Sequence, residues 1–223
     1  TVREALAYIR GEPRTLRLVF AKVGVSSANG IVGLLPAFAA ARFSGRQAAT
    51  GALLAARGLG AMLGPMLARR AIGPGAGRRA LAWVCGSSTL TYCAAYALLP
   101  GTYAFGLAIA IVIAAHLGGG AQWAMSTYAL QRDTPDHVRG RVLSIDYGLA
   151  TLAIGGSSIA AGAAADTWGM PTATWLLAGI GAIYGVAWLA WALPAMTESQ
   201  LAPPTAPPGA SPAAPPTASP TER

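Results

Sequence analysis

Arg57 stands near the middle of an apolar run and His116 near the middle of another. Insertion scales charge roughly 2.5–3.5 kcal/mol for an arginine at the centre of a membrane helix. Arg57 therefore calls for compensation: Asp146 or Asp166, an acidic group outside this chain, an anionic ligand, or snorkelling to the interface. His116 is either a proton carrier or a satisfied packing residue. Spacing groups further polar residues into faces. Lys22, Ser26, Asn29 and Gly33 recur at i, i+4, i+7 and i+11, and His116, Gly120, Trp123 and Thr127 repeat the pattern, with Gln122 and Ser126 beside them. The two stripes predict cavity walls, with Ser26, Asn29, Arg57, His116, Gln122, Trp123 and Thr127 contacting a small molecule and Asp146 as the titrating group. The plainer alternative is that the hydroxyls and amide bond nearby backbone carbonyls while glycine lets helices approach. Lys22, about a turn from the boundary, is expected to reach back to the interface.

The elements that hold these residues are membrane helices. From Ala80 to Gln131 the chain runs 52 residues without Asp, Glu, Lys or Arg, broken only by the turn-like Leu99-Pro100-Gly101-Thr102. That is enough for two spans of about 20 residues each. Across the chain 54% of residues are hydrophobic and 11% charged. The predicted fold is all-α and polytopic: a cytoplasmic linker over 1–13 with an amphipathic surface helix at about 2–10, and a six-helix bundle over 14–194. The predicted helices run at about 15–41, 48–68, 80–99, 103–130, 142–165 and 172–193. The third and sixth carry no charge and read as lipid-facing, the sixth with interfacial Trp188 and Trp191. Gly60 and Gly64, and Gly181 and Gly185, form GxxxG pairs suited to tight helix contact. The Gly118-Gly119-Gly120 run either loosens the fourth helix or packs closely.

Thirteen of the 16 Lys and Arg fall on the terminus side of this topology and only Arg42 and Arg46 on the other. Both termini are then cytoplasmic, in a plasma or inner membrane. The same topology explains the net charge of +8, so no nucleic-acid partner is implied, while the basic rim suits membrane lipid. Residues 195–223 hold eight of the 16 prolines, at Pro203 to Pro220, and predict a disordered cytoplasmic tail. Cys85 and Cys93, two turns apart, are about 12 Å from each other in a regular helix, too far to bridge. No metal or cofactor motif is present. The chain begins with Thr1 rather than Met, which reads as a piece of something longer.

The stretch Gln131–Gly148, QRDTPDHVRGRVLSIDYG, resembles the P-D-x-x-R-G-R-V element of major facilitator superfamily exporters, particularly the branch of enterobactin and macrolide efflux proteins, in the cytoplasmic loop between helices ten and eleven. Pro135, Asp136, Arg139, Gly140, Arg141 and Val142 match. The lead-in Val2–Arg10 with Glu12-Pro13 is similar to that family's surface helix before helix seven. Gly51, Gly58, Gly60 and Gly64 with Gly77-Arg78-Arg79 are similar to its helix eight and following loop. The likeness covers about residues 2–193. It implies the C-terminal six-helix half of a twelve-helix transporter, two inverted three-helix repeats around a midplane site lined by the first, second, fourth and fifth helices. It also implies a cytoplasmic gating loop of Asp136, Arg139, Arg141, Arg78 and Arg79, whose arginines would meet helix C-terminal dipoles or carboxylates such as Asp136. One departure stands out: the family's G-x-x-x-D-R-x-G-R-R loop carries an acid, whereas here Gly64 leads to Ala68-Arg69, with Gly73-Pro74-Gly75 inserted. That loop is thus expected to lack a charge-paired gate.

The resemblance implies proton-coupled efflux of a small drug-like molecule or metabolite by alternating access, with an N-terminal six-helix half as partner if the chain is a fragment. A non-transporting or incomplete six-helix scaffold is the first alternative. The second is an intramembrane enzyme using Ser157 or Ser158 with His116, although Gly155-Gly156-Ser157-Ser158 lacks a G-x-S-x-G turn and His137 lies in a loop.

Overall fold

The computed structural model describes residues 1–73 and 75–196, and every regular element among them is helical. Helix α1 (Val2–Gly11) buries Ala5 and Ile9, one turn apart, against the bundle. Pro13 then opens α2 (Pro13–Val19) at the position where its missing N–H costs nothing. The first span, expected as one helix over 15–41, is instead three pieces: α2, α3 (Val23–Ala28) and α4 (Gly30–Arg42). Tight i→i+3 bonds mark both breaks, Val23 N to Phe20 O at 3.2 Å and Asn29 N to Ser26 O at 3.2 Å. A break at this depth leaves backbone groups without water to bond. At Asn29 another helix supplies the partner: Gly30 N donates to Ser157 Oγ at 2.8 Å, and the same hydroxyl donates to Ser27 O at 2.6 Å. A Cβ on Gly30 would land on the Ser157 carbonyl.

The remaining helices are α5 (Ala49–Ile72), α6 (Arg78–Leu98), α7 (Phe105–Asp133), α8 (Asp136–Trp168) and α9 (Met170–Ala192). Gly73 and Gly169, with φ of 73° and 83°, end α5 and α8 in a backbone region that favours glycine. Five stretches, Pro13–Arg42, Ala49–Ile72, Phe105–Asp133, Asp136–Trp168 and Met170–Met196, are long and apolar enough to cross a bilayer. Helix α6 has the length, 21 residues, but Ser87, Ser88, Thr89, Thr91 and Tyr92 dilute its hydropathy. The expected third span is therefore too polar to count by composition.

Two parallel seams organise the bundle. Gly60 backs onto Ile113 and His116, and Gly64 onto Leu117 and Ala121, so α5 and α7 run in the same direction in close contact. Lys22 meets Asp146 and Ser27 meets Ser157, so the first span and α8 also run parallel. Helices α6 and α9 lie behind the seams and pack on each other, with Gly86 under Leu189, Gly181 against Cys93 and Gly185 against Thr89. The two cysteines are buried and free. Helix α6 keeps one exposed stripe, Trp83, Ser87, Thr91, Ala94 and Leu98, while its other faces pack between α7 and α9 and fully bury Tyr92 and Tyr96. Helix α9 does present Ile180, Ile183 and Val186 outward, but Trp188 is buried and donates to Arg17 O at 2.8 Å, leaving Trp191 as the exposed aromatic. Gly118 closes α7 onto the Ser88 carbonyl of α6 and Gly120 closes it onto the Ala61 carbonyl of α5. The triple glycine therefore serves close packing on two sides of an unbroken helix.

The chain stays ordered past the expected start of the tail. In the turn Leu193–Met196, Met196 is buried and Ala195 O accepts from Arg14 Nε at 3.2 Å. The predicted disorder beyond that turn falls on 197–223, outside the described residues.

Candidate functional site

A cavity of about 350 Å³ opens between α3, α5 and α7, and Ser26, Asn29, Arg57, Tyr92, His116 and Trp123 supply its polar and aromatic lining. Five of the seven predicted cavity residues meet there. Gln122 and Thr127 do not. Gln122 sits beside the stripe, and its side chain turns into the packed interior, fully buried with no partner for either amide atom. Thr127 bonds the Trp123 carbonyl at 2.9 Å and lies beyond the cavity. Spacing located the face of α7 but not how far along that face the open space extends.

Two tyrosines from α6 hold the polar groups in place, and neither was anticipated. Tyr92 Oη donates to Asn29 Oδ1 at 3.2 Å, and Tyr96 Oη bonds His116 Nε2 at 2.9 Å. The Tyr92, Tyr96 and His116 rings pack edge to face, with centroids 4.9 to 5.8 Å apart. The available signal was a pair of tyrosines one turn apart in a helix that carries no charge beyond Arg78 and Arg79 at its start, each with a hydroxyl that must find a partner once buried.

Arg57 has neither of the carboxylate partners proposed for it. It faces the open side of the cavity, and among the described residues it makes no ion pair. Asp166 lies exposed near the far end of α8. Asp146 belongs to Lys22, whose Nζ sits 2.5 Å from Asp146 Oδ2, with both side chains fully inaccessible. Lys22 thus does not reach back to the interface. It lies in the first break of its span, inside the bundle, where a carboxylate compensates the desolvated ammonium. The Trp123 and Tyr147 rings lie 5.4 and 5.7 Å from Nζ, and Trp123 Nε1 donates to Tyr147 Oη at 3.2 Å.

The basic loops form a second constellation at one end of the bundle. Arg78 Nε and Arg132 Nε hold the two oxygens of Asp133 at 2.8 and 2.9 Å, and Arg132 also donates to Ala76 O. The acid that the α5–α6 loop lacks is supplied from the end of α7, so that loop is charge-paired after all. Arg139 pairs with Asp136 at 2.6 Å, and Arg141 approaches Glu4 of α1 at 3.7 Å. Arg79 is exposed and makes no ion pair among the described residues. One of the expected contacts with a helix C-terminus forms: Arg139 Nε donates at 3.0 Å to the carbonyl of Thr134, which caps α7. Arg78 and Arg79 open α6, and Arg139 and Arg141 lie in the first turns of α8. A cation there faces the positive end of the dipole, so carboxylates and carbonyls compensate instead.

The two serines of the enzymatic alternative are engaged elsewhere. Ser157 Oγ is spent on the Ser27 carbonyl and the Gly30 N–H, and Ser158 Oγ donates to Ile154 O at 2.9 Å. His116 Nε2 bonds Tyr96, so no hydrogen-bonded Ser–His pair forms among the described residues.

A charge-poor helical bundle with five candidate spans and a polar cavity between two parallel seams defines a multi-pass membrane protein. A family model described as transmembrane secretion effector, of the major facilitator type, matches residues 1–213, and the chain belongs to that family of transporters. No curated protein and no solved structure gives a match.

Proposed function

We propose that the chain is the C-terminal six-helix half of a secondary exporter, moving a small drug-like molecule or metabolite outward by proton-coupled alternating access. The observation that carries this reading is the pattern of helix contacts. The first span packs on α8 and α9, α7 packs on α5 and α6, and α6 packs on α9. Exchanging the first three spans for the last three leaves that pattern unchanged, as two inverted three-helix repeats require. The parallel course of α5 and α7 supports α6 as a sixth crossing, because the chain must return through the same layer between them.

In this reading Ser26, Asn29, Arg57, His116 and Trp123 contact substrate. Asp146 is the titrating group, with Lys22 as its counter-charge. The Arg78–Asp133–Arg132 cluster and the Asp136–Arg139 pair brace the cytoplasmic gate together with Arg79 and Arg141. The basic end faces the cytoplasm of a plasma or inner membrane, and the loop residues Pro135, Asp136, Arg139, Gly140, Arg141 and Val142 resemble those of the branch of enterobactin and macrolide efflux proteins. The test is efflux of a fluorescent dye from cells making the protein with its N-terminal half. Arg57→Ala or Trp123→Ala should lower efflux at unchanged membrane abundance, and abolishing the proton gradient should stop it. Unchanged efflux in both variants removes the site assignment.

A further inference from the structure

We infer that the cavity takes an organic anion: a carboxylate, sulfonate or phosphate joined to a planar apolar ring. The inference rests on the transport reading for the cavity's use, although binding itself requires no transport.

No carboxylate lines the cavity among the described residues, and Asp146, which is not part of that lining, is paired through Oδ2 with Lys22. Arg57 lies eight residues into α5, about 12 Å along its axis. It has no hydrogen-bond or ion-pair partner among the described residues and points at the open space. The neighbouring polar groups are donors in surplus. Tyr92 Oη occupies the Asn29 carbonyl oxygen, which leaves the Asn29 amide nitrogen to the cavity, and the buried Ser26 hydroxyl has no partner. Such a wall completes the hydrogen bonds of an anion. A cation there meets Arg57 with no carboxylate in the lining to offset the repulsion. The ring of the ligand fits the rest of the lining, where Pro65, Gly119, Gly120 and Ile154 present flat apolar surface beside Trp123.

The surroundings extend the same polarity. Two further cavities, of about 510 and 540 Å³, adjoin the first at Pro65 and run along α5 to Arg69 and Arg70 at the basic end. Arg57, Ala61, Pro65 and Arg69 are spaced by four and share one face of α5. One groove thus leads from the basic end to Arg57 with a cation at each end, an arrangement that draws anions inward.

The experiment is isothermal titration of the chain in phospholipid nanodiscs with naphthalene-1-sulfonate, the isosteric cation naphthalen-1-ylmethylammonium and neutral naphthalene-1-methanol. The sulfonate should bind at least tenfold more tightly than either other probe. Arg57→Gln should bring it down to the neutral probe's level, Arg57→Lys should retain most of the preference, and Arg46→Gln at the opposite end should change nothing. Because Arg57 holds no other group, circular dichroism of its variants should match the parent. Equal or tighter binding of the cation, no binding of any probe, or a sulfonate affinity untouched by Arg57→Gln overturns the inference. Anion binding without dye efflux would refute the transport reading and leave this one standing.

Discussion

The two parallel seams each carry a cation and treat it in opposite ways, one buried and the other exposed. In the seam of the first span with α8, Lys22 is sealed against Asp146 and ringed by Trp123 and Tyr147. In the seam of α5 with α7, Arg57 is left facing open space while glycines bring the two backbones together behind it. A buried pair costs about as much to desolvate as it returns, so the Lys22–Asp146 contact fixes geometry more than it adds stability. An unpaired cation beside a cavity contributes nothing to the fold and is free for a ligand.

That contrast orders the expected effects. Asp146→Ala strands the Lys22 charge and should cost about 3–5 kcal/mol, read as loss of monodisperse protein in detergent, while Lys22→Met with Asp146→Leu should restore it. If Asp146→Ala is silent, the pair is not what holds that seam. Gly64→Leu drives a side chain into the backbone of α7 and should cost about 1–3 kcal/mol in thermal unfolding, whereas Gly58→Ala, with open space around it, should be neutral or stabilising. Tyr96→Phe removes the partner of His116 and should cost about 1 kcal/mol. Arg141→Gln breaks a long, half-exposed contact and should leave the unfolding temperature close to that of the parent. Arg57→Ala should leave the unfolding temperature unmoved while abolishing anion binding. A destabilised Arg57→Ala protein would erase the distinction between the seams.

The helices were legible because hydrocarbon selects for apolar length. The last helix is Met170–Ala192 against an expected 172–193, whereas α8 begins at Asp136 against an expected 142 and the first span is broken into three pieces. Partnerships across the bundle were not legible. The break at Asn29 depends on Ser157, 127 residues away, and Lys22 turns inward because of Asp146, 124 residues away. Periodicity names the face a residue occupies and says nothing of what covers that face, which is why Gln122 was drawn to the cavity and Tyr92 overlooked. Charge counting named the arginines of the loops, but which carboxylate or carbonyl each one meets depended on α7 ending, and α6 and α8 beginning, beside one another.

The single hydroxyl that fastens the kink at Asn29 divides the loyalties of the first span. Its C-terminal portion, α4, is yoked to α8 through Ser157, whereas its N-terminal portion, α2, is tied to α9 by Arg17 and Trp188. A tilt of α8 would pull at Gly30 and at Lys22 together, so the short segment between them, beside the cavity it helps to enclose, is coupled to α8 at both of its ends.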